Sequence, residues 1–281
     1  MRRAIRALVA LHLLSAVSAG AAPSPTPQTL LAQMKAWLEP TMASSRQFTM
    51  VVRSAPGDAV EWKAAQARGR VDDSNFALTV LLDPPDVRGT ALLVQEQKGK
   101  PNSEWLFVPS LRRVRQILPV DEFQSFLNTE FTDSDLGFVN LKRQRIALRD
   151  VAPVNGRAAY GLEEVPDDQQ TFKRIVTWVA KDTQQPLKRE YYDVANRLWK
   201  VQTFADVATF PNVSVAQRVL IEDMQTGYSS EYRLSALAFV VQVPPELFDW
   251  RQLPKAAGHP FWTDSITSKL CGGACPGTPH P

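Results

Sequence analysis

Residues able to carry acid–base or nucleophilic chemistry are few in this chain, and their positions limit what it can do. Of its three histidines, His12 lies in the N-terminal leader, and His259 and His280 fall in or beside a C-terminal stretch rich in proline and glycine. A Ser-His-Asp triad or a histidine-built metal site inside the main body is therefore excluded. No G-x-S-x-G, S-x-x-K, P-loop or G-x-G-x-x-G motif is present. The carboxylate pairs Glu163–Glu164 and Asp167–Asp168 flank Pro166 and read as solvated turn residues. The two cysteines, Cys271 and Cys275, could close a small loop in an oxidising compartment, and a lone C-x-x-x-C is weak evidence for a metal. No catalytic residue, metal ligand or cofactor is assigned, and the expectation is a protein that is not an enzyme.

The unusual chemistry lies in VPSLRRVRQILPVDEFQSFLNTEFTDSDLGF, residues 108–138. Arg112, Arg113 and Arg115 are followed by Asp121, Glu122, Glu130, Asp133 and Asp135, with Phe123, Phe126, Phe131 and Phe138 among the acids. Read as a helix, residues 121–138 place Phe123, Phe126, Leu127 and Phe131 on one stripe, with Asp121 as a fair N-cap. The arginines before it, and Lys142, Arg143, Arg145 and Arg149 after it, are natural partners for its acids. Arg113 and Arg115 share one strand face, and the expectation is that they pair with carboxylates of the insert or of a neighbouring strand. If both instead face solvent, they become a docking surface for anionic lipid or a partner. Exposed pairs of this kind contribute about 0–1 kcal/mol each, so several could hold an apolar plug in place without locking it. The same pattern also fits a permanent core plug with a solvated basic rim, and both readings stand.

The elements that must position these residues follow from period. MRRAIRALVALHLLSAVSAGAA has a basic start, an apolar run from Ala7 to Val17 and small residues at its end. It reads as a cleaved secretory signal peptide over residues 1–22 and implies export; the run is shorter than the about 20 residues that span a bilayer. The leader carries three of the 32 basic residues, which leaves 29 against 29 acids and no nucleic-acid footprint. TLLAQMKAWLEP sets Leu30, Leu31, Met34 and Leu38 on one helical face, stopped by Pro40. After it the period changes to two. RQFTMVVRS, AVEWKAAQARGRV, NFALTVLLD and ten further runs alternate, separated by turn formers such as Pro84-Pro85, Asn155-Gly156 and Gly227. Long strands that follow one another without helices between them predict a wide, curved antiparallel meander. The chain offers few helices to cover it, so either the strands close tightly or a cavity is left. One domain is expected over residues 23–254, followed by a flexible tail over 255–281.

DPPDVRGTALLVQEQ, EWLFVPSLRRVRQI and SFLNTEFTDSDL together resemble the LolA-like family of outer membrane lipoprotein-sorting proteins. Three ordered elements carry the resemblance. They are Arg88-Gly89-Thr90 with Leu92-Leu93, then Trp105 to Ile117, then Ser125 to Leu136, within a likeness over most of residues 30–253. Asn128 stands at a family glycine and Glu130 at a family aspartate. The resemblance implies a mainly β fold: a strongly bent antiparallel sheet forming an incomplete barrel, with a few helices over its concave mouth. It also implies a monomeric carrier that holds a lipid or lipoprotein acyl chain, or alternatively an accessory module of an RND-type inner-membrane exporter. The candidate cavity and lid residues are Phe76, Leu78, Val80, Phe123, Phe126 and Phe131, and the candidate rim residues are Arg112, Arg113 and Arg115. The strand period shows that Phe76, Leu78 and Val80 share a face but not which face that is.

Overall fold

The computed structural model describes residues 24–38, 42–55, 57–118, 125–137, 144–167, 171–210, 213–240 and 242–267. The alternating runs become 13 strands: β1 Ser44–Ala55, β2 Asp58–Val71, β3 Ser74–Asp83, β4 Ala91–Gln97, β5 Ser103–Val108, β6 Arg113–Ile117, β7 Gln144–Val154, β8 Arg157–Pro166, β9 Arg174–Ala180, β10 Pro186–Tyr192, β11 Leu198–Phe210, β12 Val213–Asp223 and β13 Ser229–Phe239. They form one antiparallel sheet in the order β6-β5-β4-β3-β2-β1-β13-β12-β11-β10-β9-β8-β7. The meander is therefore two runs joined by the pairing of β1 with β13. Its two outer edges, β6 and β7, are neighbours in sequence. The segment between them must run from one edge of the sheet to the other, and it does so across one face.

Local chemistry explains the turns. Asn155 and Gly156 take φ of 49° and 79° between β7 and β8, the left-handed pair that a two-residue hairpin needs. The β12–β13 turn is organised by Asp223, whose Oδ1 accepts from the Gln225 and Thr226 backbone N–H at 2.8 Å each and whose Oδ2 accepts from Trp199 Nε1 at 2.7 Å. Burial opposes the charge, yet these donors outweigh it and hold the carboxyl below its ordinary value of 3.8. A depressed folded-state pKa contributes stability above the unfolded value and loses it as the pH falls through the folded one. Asp223→Asn is therefore expected to cost about 1–3 kcal/mol at pH 7, with the gap to wild type closing below pH 3.8. Paired thermal melts across that range check this, and a gap that stays constant with pH refutes it.

The sheet is bent. Val94 on β4 lies against Gly137, and the Tyr191 hydroxyl on β10 donates to Asp135 Oδ1 at 3.4 Å. In a flat sheet β4 and β10 would stand seven spacings apart, about 34 Å, a distance that two side chains and a two-residue step cannot cover. The sheet therefore wraps around the segment that touches both. Helix α1, Pro27–Leu38, covers the same face; Pro27 opens it, and Thr26 Oγ1 caps Thr29 N at 3.1 Å. Leu30, Leu31 and Met34 are buried against Leu162 and Val179, and Lys35 pairs with Glu96 at the end of β4. One helix thus touches strands from both halves.

Two cores result. The inner one gathers Phe48, Met50, Trp62, Ala77, Leu81, Leu92 and Leu106 with Phe126, Phe131 and Leu136 of the crossing segment. The outer one places Phe76, Leu78 and Val80 under Val243, Leu247, Phe248, Leu253, Ala256, Phe261 and Trp262. The flexible tail expected over residues 255–281 is corrected for residues 255–267, and residues 268–281 lie outside the described residues. Helices α3, Leu253–Ala256, and α4, Phe261–Thr267, close the back of β2–β4. Trp262 donates to the Ala256 carbonyl at 2.7 Å, and Ser265 meets Ser45 at 2.8 Å. The apolar content at Ala256, Phe261 and Trp262, small as it is, joins Val243, Leu247, Phe248 and Leu253 in covering that apolar face. The leader and both cysteines lie outside the described residues.

Candidate functional site: a cavity on the concave face

The crossing segment is not the single helix read from its phenylalanine spacing. Ser125 and Thr132 form a bridge, Phe126–Asn128 make one 3₁₀ turn, and helix α2 covers only Asp133–Leu136. Leu127 and Asn128 sit at φ of 48° and 64°, which breaks any helix through them. Asn tolerates this left-handed conformation better than other non-glycine residues, so Asn128 serves where the family carries glycine. Short polar side chains take over the backbone partners. Thr129 Oγ1 donates to the Phe126 carbonyl at 2.8 Å, and Thr132 and Asp135 cap each other, Thr132 N to Asp135 Oδ2 at 2.8 Å and Asp135 N to Thr132 Oγ1 at 3.1 Å.

Phe126 and Phe131 still both point inward, at 2% and 3% exposure, because the chain folds back on itself between them. Phe123 lies outside the described residues. Polar ties fasten the segment to both halves of the sheet. Gln66 Nε2 donates to the Leu136 carbonyl at 2.8 Å and Arg68 Nη2 to the Gly137 carbonyl at 3.0 Å. Across the gap, Lys200 Nζ meets Glu130 Oε2 at 2.7 Å, and Glu130 N donates to Ser230 Oγ at 2.9 Å.

Between this segment, the C-terminal end of α1 and the inner face of the sheet lies a cavity of about 110 Å³. Its apolar wall is Phe48, Phe131, Phe204, Val215, Ala216 and Val219, closed above by Trp37 and Leu38. Its polar wall holds Arg46, Gln66, Arg68, Arg189, Gln202, Tyr232 and one carboxylate, Asp135. Arg189 Nε donates to Thr177 Oγ1 at 3.2 Å, and its Nη2 faces the fully buried Glu164 at 3.9 Å. Tyr191 donates to Gln202 Oε1 at 2.8 Å, and burial pushes its phenol pKa up.

The candidate residues named from sequence divide between the two faces. Phe131 lines the cavity and Phe126 anchors the segment behind it. Phe76, Leu78 and Val80 do not reach the cavity. They fill the outer core, while their alternating neighbours Ala77 and Leu81 pack in the inner one. Strand β3 is buried on both faces, so periodicity could not choose between them. Arg112, Arg113 and Arg115 are exposed on and beside the edge strand β6, and no ion pair joins them to a carboxylate among the described residues. Asp121 and Glu122, the nearest acids of the insert to which they were expected to pair, lie outside the described residues. Charge on an edge strand instead discourages pairing with another sheet. Glu164 corrects the reading of a solvated turn. Strand period puts Glu163 and Glu164 on opposite faces, so one of them had to enter with Leu162. The buried polar row Arg46, Gln66, Arg189 and Gln202 was missed, and its only trace in the sequence is polar residues at inward-facing positions.

A family model described only as uncharacterized protein-like matches residues 73–255. No curated protein sequence matches the chain. A structure described as an outer membrane lipoprotein-sorting protein domain from Vibrio parahaemolyticus is 26% identical, superposes with a TM-score of 0.74, and is matched over 82% of this chain and 98% of its own. A DUF1329 family protein from Desulfovibrio piger, 23% identical with a TM-score of 0.72, is matched over 81% of this chain and 97% of its own. A LolA superfamily protein from Nitrosomonas europaea, 18% identical with a TM-score of 0.65, is matched over 80% and 98%. These last two show the fold alone. With the family match covering most of the chain and the Vibrio domain sharing its bent open sheet, the chain belongs to the LolA-like family of outer membrane lipoprotein-sorting proteins.

Proposed function

We propose that this protein is a periplasmic carrier that takes the acyl chain of a lipid or lipoprotein into the cavity on its concave face and moves it towards the outer membrane. The observation that carries this reading is the cavity itself, bounded by a segment tied to the sheet through side chains rather than through strand pairing. The leader read from the sequence supports the compartment. At about 110 Å³ the space is smaller than the about 150 Å³ that accommodates a benzene-sized guest. The structure is then the closed form, and a long chain enters only as residues 131–137 and the end of α1 move apart. Each enclosed methylene contributes about 0.8 kcal/mol, so six of them give about 5 kcal/mol before the cost of opening.

Titration of delipidated protein with a fluorescent fatty acid tests this. Saturable uptake is expected, and Ala216→Trp, which fills the cavity from β12, is expected to weaken it by about tenfold or more. The stability cost should stay within the about 1–3 kcal/mol of overpacking. Non-saturable uptake, or an unchanged affinity in the filled variant, refutes the carrier. A second reading rests on the exposed arginines at β6: an accessory module docking this edge on an acidic partner such as an RND-type exporter. It predicts no probe uptake and loss of partner binding in a triple Arg112, Arg113 and Arg115 to Ser variant.

A further inference from the structure

The cavity is not a plain apolar sleeve, and one of its arginines keeps an edge of its guanidinium without an acceptor among the described residues. Arg68 gives Nε to Gln66 Oε1 at 2.9 Å and Nη2 to the Gly137 carbonyl, and Arg189 is engaged with Thr177 and Glu164. Arg46 differs from both. Its side chain lines the cavity and is 7% exposed, and neither Nε nor Nη2 meets an acceptor among the described residues. These two nitrogens share one edge of the guanidinium, the fork that matches two oxygens of a carboxylate or phosphate. The Tyr232 hydroxyl stands beside it. Its oxygen is buried and makes no hydrogen bond of good geometry, although it lies close enough to the Arg46 guanidinium to feel its charge, and burial keeps the phenol protonated and therefore able to donate.

Such a fork is costly to bury without an acceptor, because a guanidinium stays charged at any pH the protein meets. The carboxylate that lines the cavity does not answer it. Asp135 Oδ2 accepts from Thr132 N and Oγ1, and its Oδ1 takes only the longer branch, 3.4 Å, of a Tyr191 hydroxyl whose 2.8 Å bond is to Gln202. With Arg189 answered by Glu164, Arg46 and Arg68 still face a single carboxylate in the lining, Asp135. Phe48, two residues along the same strand, stands at the apolar wall.

We infer that the ligand is an anionic amphiphile, its oxyanion head held by the Nε–Nη2 edge of Arg46 with the Tyr232 hydroxyl, and its chain lying along Phe48, Phe204 and Val219. This rests on the carrier reading and narrows it from any acyl chain to one with an acidic head. Calorimetric titration of the full chain with decyl phosphate, decan-1-ol and inorganic phosphate tests it. Decyl phosphate is expected to bind about tenfold tighter than the alcohol or better, as charge-assisted hydrogen bonds require. Inorganic phosphate alone is expected not to bind at the same concentrations. Within the Arg46→Gln protein decyl phosphate and decan-1-ol should bind equally, and Arg46→Lys should keep part of the preference. Equal binding of the two amphiphiles by the wild type overturns the inference and leaves the carrier standing. Phosphate binding as tightly as decyl phosphate makes this a free-anion site and overturns it too. A preference that survives Arg46→Gln removes Arg46 from the site. If neither amphiphile binds, the carrier reading falls and the inference falls with it. The wild-type comparison decides the outcome even if a variant does not fold.

Discussion

Phe126→Asp is expected to abolish most of the stability of the fold. Phe126 is 2% exposed and packs in the inner core with Phe48, Met50 and Trp62. Removing a buried phenylalanine costs about 3–5 kcal/mol by itself. The substitution then places a carboxylate among apolar side chains, where it must find a partner or take up a proton. The sum approaches the about 5–15 kcal/mol that a typical domain has to lose. Phe126→Leu, which keeps an apolar group at the site, should cost much less. Thermal and urea melts of the two variants measure the difference. A near-native melt for Phe126→Asp would show that the crossing segment is peripheral and that the inner core closes without it. A collapsed melt assigns Phe126 to anchoring the segment.

Glu164→Leu is expected to destabilise the protein by about 3–5 kcal/mol, because it removes the buried carboxylate that faces the Arg189 guanidinium. Glu164 is 0% and Arg189 5% exposed, and they face each other at 3.9 Å with Thr177 between them, its hydroxyl donating to Glu164 Oε1 at 3.2 Å. Replacing both partners tests the cause. In Glu164→Leu with Arg189→Leu no charge is left behind, and most of the loss should return, since well-packed apolar pairs often equal or exceed a buried ion pair. Equilibrium denaturation of wild type, both single variants and the double variant gives the coupling. A single variant within about 0.5 kcal/mol of wild type, or a double variant no better than the worse single one, would show that the two side chains act independently.

The sheet was legible because its signal is local. Strand alternation, the Asn155-Gly156 hairpin and the helix over Leu30, Leu31 and Met34 each rest on a few consecutive residues. Backbone geometry translates those spacings directly into faces. The crossing segment was legible as something special and misread in form. Helical spacing of Phe123, Phe126 and Phe131 is also satisfied by a loop that folds back on itself. Thr129, Thr132 and Asp135 bond their own backbone strongly enough to choose the loop. The C-terminal stretch was misjudged for a related reason. Ala256, Phe261 and Trp262 offer little apolar surface in sequence, yet that surface is enough once it joins Val243, Leu247, Phe248 and Leu253 over β2 to β4.

From local pattern alone the chain is legible as a long antiparallel meander with one acidic, phenylalanine-bearing insert. That pattern did not determine which face is the inside. A period of two is unchanged when the two faces are exchanged, so Phe76, Leu78 and Val80 and their neighbours Ala77 and Leu81 are equivalent until something covers each side. Only the tertiary structure decides that, by joining β1 to β13, bending the sheet and sending the chain from edge β6 to edge β7 across one face. The same long-range closure buries Arg46 beside Tyr232, residues far apart in the chain that meet through the pairing of β1 with β13. The character of the cavity follows from that meeting, which leaves no trace in the local pattern of either strand.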